Sequence, residues 1–478
     1  MFKKLLLIYL IFLFLYYPVF GSYFSQDDFF HFKVALEYPT SFFGFLKMFG
    51  FYGFSERGVA FYRPLFREVL YNFNYFLFGL NSFPFRLLQV FLHFVNCYLV
   101  WVLMEGLFKM RRAWMVVFMF AIGAANVGAL YYLAGGIQAQ GALFFVLLMA
   151  LALHRKKVLA GFIFYLFALC SHEMAALSGL VLAFGVFLLQ GNGMSKKKFV
   201  YILGWIGTMS LYLIIDFWVI GTSSGEVQYR PVFEIGRTIN TLAWYLAWSM
   251  GLPEMTVDFV RSGLKLDPRL MQFWGRYYLI LFPMFFVIIC GIAVRVGYLL
   301  SRGRSKLQER RLWLMVMVFL AGILPVIFLP WHKKTYYLYL SLPFFWGSIF
   351  YLFQNVNKKI VGLFIVLLFI FNTVSLQLAG KTYWAINRAK LAKSLMVQMQ
   401  SVYPTLPKGA VVFVRNDPNY QVFSLEWGNT SKQAYFALSG EDAFNLYYKD
   451  MTLRVYYEDL LDGNSVPEGA LEFTAFVD

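Results

Sequence analysis

Gln26-Asp27-Asp28 sets two adjacent carboxylates a few residues past an apolar run, Leu5 to Phe20. Neighbouring negative charges repel, and a membrane surface strips away solvent. Both effects raise a carboxyl pKa towards the range of a general base. Further polar groups follow. Arg57, Arg63 and Arg67 lie in the next stretch, Arg63 within Tyr62-Arg63-Pro64-Leu65. His93 and Asn96 are three apart and share a helix face. Ser171-His172-Glu173 interrupts a long apolar stretch, and His332, Lys333 and Lys334 precede Tyr336, Tyr337 and Tyr339. Carboxylates in the company of cations suit group transfer from a phosphate: the carboxylate takes a hydroxyl proton and the cations stabilise the departing phosphate. The plainer readings are a solvated acidic pair, interfacial Lys and Tyr anchors, and a span histidine bonded to a neighbouring helix. Polar groups inside a membrane are nonetheless functional candidates.

The elements that must hold these residues are membrane helices. Of 478 residues, 60% are hydrophobic and 14% charged, whereas soluble domains carry roughly 45–50% and about 25%. That excludes a soluble globule and, equally, disorder. Cys97, Cys170 and Cys290 all fall in apolar runs and cannot form a disulfide scaffold. A crossing helix needs roughly 20 apolar residues. Candidates are Leu5 to Phe20 and the runs 85–107, 113–133, 137–153, 158–171, 174–190, 199–220, 276–298, 312–330, 336–353 and 360–379. The fold class expected is an all-α polytopic membrane protein with about 11 transmembrane helices. Lys3 and Lys4 before the first run also fit a cleaved leader, but Val19-Phe20-Gly21 lacks a small-x-small exit. Residues 240–252 are apolar yet too short to cross, so they read as interfacial or re-entrant.

Charge placement orients the helices. The net charge is +17, and residues 1–379 hold 33 Lys and Arg against 14 Asp and Glu. The excess therefore sits between apolar runs, where it sets topology, and nucleic acid is not an expected partner. With the N-terminus in the cytoplasm, inner loops collect Lys3/Lys4, Lys109/Arg111/Arg112, Arg155 to Lys157, Lys196 to Lys198, the cluster Arg295 to Arg311, and Lys358/Lys359. The expected location is the plasma membrane, with long outer loops at 21–84 and 221–275. Within the first loop, Thr40–Gly50 and Tyr62–Gly79 read as amphipathic surface helices.

From Gly380 the composition becomes polar. A helix-like stretch, Lys381 to Gln400, precedes β-like runs at Ala410–Val414, Val422–Trp427, Ala434–Leu438 and Leu453–Tyr457. Residues 380–478 therefore read as a small extracytoplasmic α+β domain on a transmembrane domain of 1–379. No metal spacing, phosphate loop or nucleophile elbow marks it.

A sugar on a polyprenyl phosphate presents its head group at the outer surface and needs no nucleotide pocket. Asp27 or Asp28 could serve as the base, with Arg63, Lys333 and Lys334 receiving the phosphate. At these residues the chain resembles the GT-C glycosyltransferases, especially the protein O-mannosyltransferase and aminoarabinose-transferase branch, whose acidic pair follows the first span as Asp27-Asp28 does. Tyr62-Arg63-Pro64-Leu65, the run Phe73 to Asn81, and Leu92-His93-Phe94-Val95-Asn96 are similar to motifs of animal O-mannosyltransferases in the same order. Ser171-His172-Glu173 stands where that family has Ser-Lys-Glu, and Tyr336 replaces an Arg in a Tyr-Leu-Tyr-Leu run. The resemblance covers about 20–340. It implies inverting transfer with Asp27 as base and Asp28 positioning the acceptor or a cation. Some members use a divalent metal; this first loop lacks Asp-x-Asp, so the metal is left open. The acceptor could be a glycan, lipid or protein. Two other readings compete: a lipid-linked glycan transporter or flippase, which would place its site at the midplane between repeated halves, and an O-antigen-type polymerase or ligase, which would not need the acidic pair.

Overall fold

The computed structural model describes residues 1–190, 196–221, 226–261, 265–301, 309–420, 428–461 and 465–476, without the Lys197 side chain. The chain is mostly helical. Among the described residues, seven helices are long and apolar enough to cross a membrane: Phe2–Gly21, Ser82–Gly106, Leu133–His154, Lys198–Ile220, Pro268–Ser301, Arg310–Ile327 and Lys358–Val402. Four expected spans are shorter apolar helices, Ala113–Ile122, Val158–Leu169, Ala175–Leu189 and Leu342–Leu352. At 1.5 Å per residue each falls short of the ~30 Å hydrocarbon layer, so length and composition support seven crossings rather than eleven.

Local chemistry explains these interruptions. The 113–133 run breaks at Gly123, where the Asn372 side chain accepts the freed Ala124 N–H at 2.9 Å. The 158–190 stretch breaks at Ser171-His172-Glu173, as its polar residues indicated; Ser171 Oγ donates to the Phe167 carbonyl at 2.6 Å. The 336–353 run opens with a tight turn, Thr335–Leu338, that turns Tyr336 and Tyr337 inward. Pro283 and Pro325 sit inside long helices, which membrane helices tolerate when neighbours satisfy the backbone. Leu133–His154 lies at the centre of the bundle and is mostly buried, whereas Pro268–Ser301 stays at its periphery. Residues 240–252 fall largely in a 16-residue helix, Ile235–Met250.

The first loop forms short helices, Asp27–Leu36, Phe42–Lys47 and Leu70–Phe78. Ser41 caps the second through the Gly44 N–H, and its Phe42 and Phe43 are exposed. Past a polar helix, Trp384–Val402, three strands form one parallel sheet in the spatial order Arg454–Tyr457, Val411–Asn416, Leu471–Ala475. Parallel strands need crossovers; Thr430–Leu438 and Asp442–Tyr448 supply the one from Val411–Asn416 to Arg454–Tyr457. The expected strand Ala434–Leu438 is thus part of a helix. Thr430, Ser431, Ala434, Ala437 and Leu438 are its buried residues, at helical spacing, and Asn429 caps it. The expected run Val422–Trp427 lies outside the described residues. The C-terminal unit does not keep a core to itself: Phe24, Phe29, Phe32, Tyr71 and Phe85 join Leu395, Val412, Leu438 and Phe444 in one hydrophobic cluster.

Candidate active site

The first helix ends in a tight turn, Tyr17–Gly21, and the chain runs extended to Gln26. Asp27 and Asp28 are the first residues of Asp27–Leu36, where the helix dipole favours negative charge. Gln26 takes a left-handed backbone, φ 48°, that favours glycine. Two groups of the C-terminal unit hold it. The Gln26 N–H donates to the Ala437 carbonyl at 2.9 Å, and the Arg388 guanidinium donates to Gln26 Oε1. Lys33 and Asp442 close the same contact with a 2.7 Å ion pair.

Adjacent in sequence, the two carboxylates face different partners. Asp28 is fully buried and accepts the Ser25 N–H and the Tyr71 hydroxyl, each at 3.0 Å. Burial pushes its pKa up to about 6 against the opposing charge of Arg86. Asp27 is partly buried and accepts the Tyr132 hydroxyl. Burial raises its pKa, while the Tyr132 hydrogen bond and the Arg388 charge pull it down. Asp27 is therefore the member of the pair with a reactive environment, and Asp28 the one that fixes the turn. Asp28→Ala should destabilise the protein by about 1–3 kcal/mol, because Ser25 N–H and Tyr71 lose their acceptor; thermal unfolding in a fixed lipid environment measures it.

Aromatic rings pack around Tyr132, the partner of Asp27. The Tyr132 ring lies 5.1 Å from Tyr336 and 4.9 Å from Trp384. Lys334 Nζ and the Arg388 guanidinium lie 5.2 and 5.1 Å from the Trp384 ring, within cation–π range. Lys334 is placed by the turn before Tyr336, whose Thr335 N–H and hydroxyl both donate to Glu254 at 2.7 and 2.6 Å. Two cations thus share one indole beside the Asp27–Tyr132 pair.

Other expected residues do less there. Arg63 gives its three nitrogens to Glu173 Oε2 (2.8 Å), Glu173 Oε1 (2.6 Å) and Gln138 Oε1 (2.7 Å). Burial opposes both charges, but the fork-shaped contact keeps Glu173 ionised and Arg63 protonated. Three of its five N–H donors are thus taken and its charge is matched by Glu173, which leaves Arg63 a poor phosphate ligand. Glu173→Gln should cost about 3–5 kcal/mol by leaving a buried guanidinium uncompensated, and Arg63→Gln on top should recover part of it; unfolding of single and double variants tests this. His172 is pushed down to about 3 by burial, so its 3.3 Å approach to Glu173 is not an ion pair. Burial lowers Lys333, and the charge that offsets it is Asp258, not Asp27. Arg57 pairs with Glu37 and Glu68 at 3.3 and 3.7 Å and lies over Tyr38 and Tyr52, bracing the first loop.

His93 and Asn96 share a helix face as their spacing required, but that face is packed inside the bundle. His93 Nδ1 lies 2.7 Å from the Tyr339 hydroxyl, and Asn96 donates to the Gln140 carbonyl at 3.0 Å. They join helices and do not reach Asp27. Arg86, Tyr132, Trp384 and Arg388 went unnoticed in the sequence. Only Arg86, an arginine inside an apolar span, carried a clear signal; it is fully buried and bonded to the Ser22, Tyr23 and Leu130 carbonyls. Among the described residues no three His, Cys, Asp or Glu side chains gather as a metal-binding group, and the two aspartates turn to separate donors, so they do not fit a shared cation. Family models, curated proteins and solved structures give no match to this chain, and the resemblance rests on its motifs alone.

Proposed function

We propose that the chain is an integral-membrane glycosyltransferase that moves a sugar from a polyprenyl phosphate to an acceptor hydroxyl, with Asp27 as general base. The observation that carries the reading is a partly buried carboxylate with a raised pKa, bonded to Tyr132 and facing the charge of Arg388, which shares the indole beside Tyr132 with Lys334. The acceptor oxygen attacks the anomeric carbon while its proton passes to Asp27. The anomeric carbon–oxygen bond to phosphate breaks on the opposite face, which inverts the configuration. The charge that grows on the leaving phosphate falls to Arg388 and Lys334. Tyr132 orients the Asp27 carboxylate, and its ring, with Tyr336 and Trp384, offers apolar faces to the sugar.

Under this reading the carboxylate pair follows the first crossing, Phe2–Gly21. The N-terminus then lies in the cytoplasm, and the Asp27 site opens on the outer face of the plasma membrane with the C-terminal unit over it. Purified protein in lipid, given a labelled polyprenyl-phosphate sugar and acceptor, should release polyprenyl phosphate in step with glycosylated product. The envelope glycan profile of a deletion strain names the sugar and acceptor. Turnover unchanged in Asp27→Asn overturns the assignment.

A further inference from the structure

A second site lies at the far end of the bundle. The helices Ala175–Leu189, Lys196–Ile214 and Arg310–Ile327 enclose a cavity of about 570 Å³, within the ~300–1,000 Å³ of small-ligand sites. Leu180, Phe184, Leu188, Ile206 and Met317 line it, and among the described residues the single charged group in the lining is Arg310. Arg310 opens its helix, Leu189 closes another, and Lys198 ties the third to that end by donating to the Phe187 carbonyl at 3.1 Å. The opposite ends of two of these helices lead to Glu173 and Asp216, so the rim lies a helix length from the Asp27 region. Arg310 makes no ion pair or side-chain hydrogen bond with any described residue. The preceding Glu309 instead accepts the Tyr351 hydroxyl.

An apolar cavity within membrane helices takes a hydrocarbon chain, and a cation at its mouth takes a negative head group. Basic pockets between membrane helices bind anionic lipids in this way. A neutral lipid would gain nothing from Arg310. A polyprenyl carrier would need its phosphate at Arg388 and Lys334, at the other end. We propose that this cavity holds an acyl chain of an anionic glycerophospholipid whose phosphate pairs with Arg310. The cavity and Arg310 stand apart from the proposed transfer reaction; only the exclusion of a polyprenyl carrier rests on it.

The test offers the purified protein equal amounts of phosphatidylglycerol and phosphatidylcholine with identical chains, and counts the lipid retained by native mass spectrometry. The wild type should retain phosphatidylglycerol about fivefold over phosphatidylcholine, the order of one basic side chain's attraction to an anionic lipid. Arg310→Lys should keep the preference and Arg310→Gln should abolish it. Ile206→Trp, which fills the cavity, should lower retention of both lipids. Equal retention by the wild type, a preference that survives Arg310→Gln, or a carrier phosphate that outcompetes phosphatidylglycerol would each overturn the proposal.

Discussion

Asp27→Asn should lower sugar transfer by about 10²–10⁴-fold, the usual contribution of a positioned general base, with the protein still folded. Asparagine keeps the shape and an acceptor for the Tyr132 hydroxyl but cannot take a proton. The loss should therefore appear in kcat rather than in donor KM. The wild type should also show an acidic limb in its pH–rate profile. Burial raises the Asp27 carboxyl above the ordinary range, so activity rises as pH climbs through that raised value and is lost below it. A limb at the ordinary aspartate pKa, or an Asn variant that retains it, would show that another group takes the proton.

Arg388→Gln should produce the second large effect, about 10²-fold in kcat/KM. It removes a cation from the leaving phosphate and a charge that lowers the Asp27 pKa. The sign of the second effect is definite: without Arg388 the Asp27 pKa rises further, and the acidic limb moves to higher pH. Arg388→Lys should restore part of the rate and return the limb. Rate loss with an unmoved limb would mean that Arg388 acts only on the donor, and no loss at all would remove it from the site. Lys334→Gln, farther from Asp27 in its interactions, should weaken donor use without moving the limb.

The bundle was legible because hydrophobic run length is a strong signal and every expected span corresponds to an apolar helix. Crossing length was less so. Gly123, the Asn372 side chain that meets Ala124, and the turn at Thr335 shorten helices through contacts hundreds of residues apart. Asp27 stood out as a carboxylate just past a span. Its environment did not, since Tyr132 sits between two helices and Arg388 sits in a helix that looked merely polar. Arg63 shows the opposite failure. Its position in a motif suggested a phosphate ligand, whereas Glu173 matches its charge and, with Gln138, takes three of its five donors. In the C-terminal unit, alternation over a few residues misread Ala434–Leu438 because five residues cannot separate a strand from a short helix.

The unusual backbone at Gln26 has a consequence for how the protein is made. Its supports, Arg388 and the Ala437 carbonyl, enter the ribosomal tunnel hundreds of residues later, and the Lys33–Asp442 pair joins positions 409 residues apart. A nascent chain already threaded into the bilayer thus carries Ser25, Tyr71 and Tyr132, which bond the two aspartates, but not the groups that hold the Gln26 backbone in front of them. The turn that presents the pair is therefore completed only after the C-terminal unit has been made and docked.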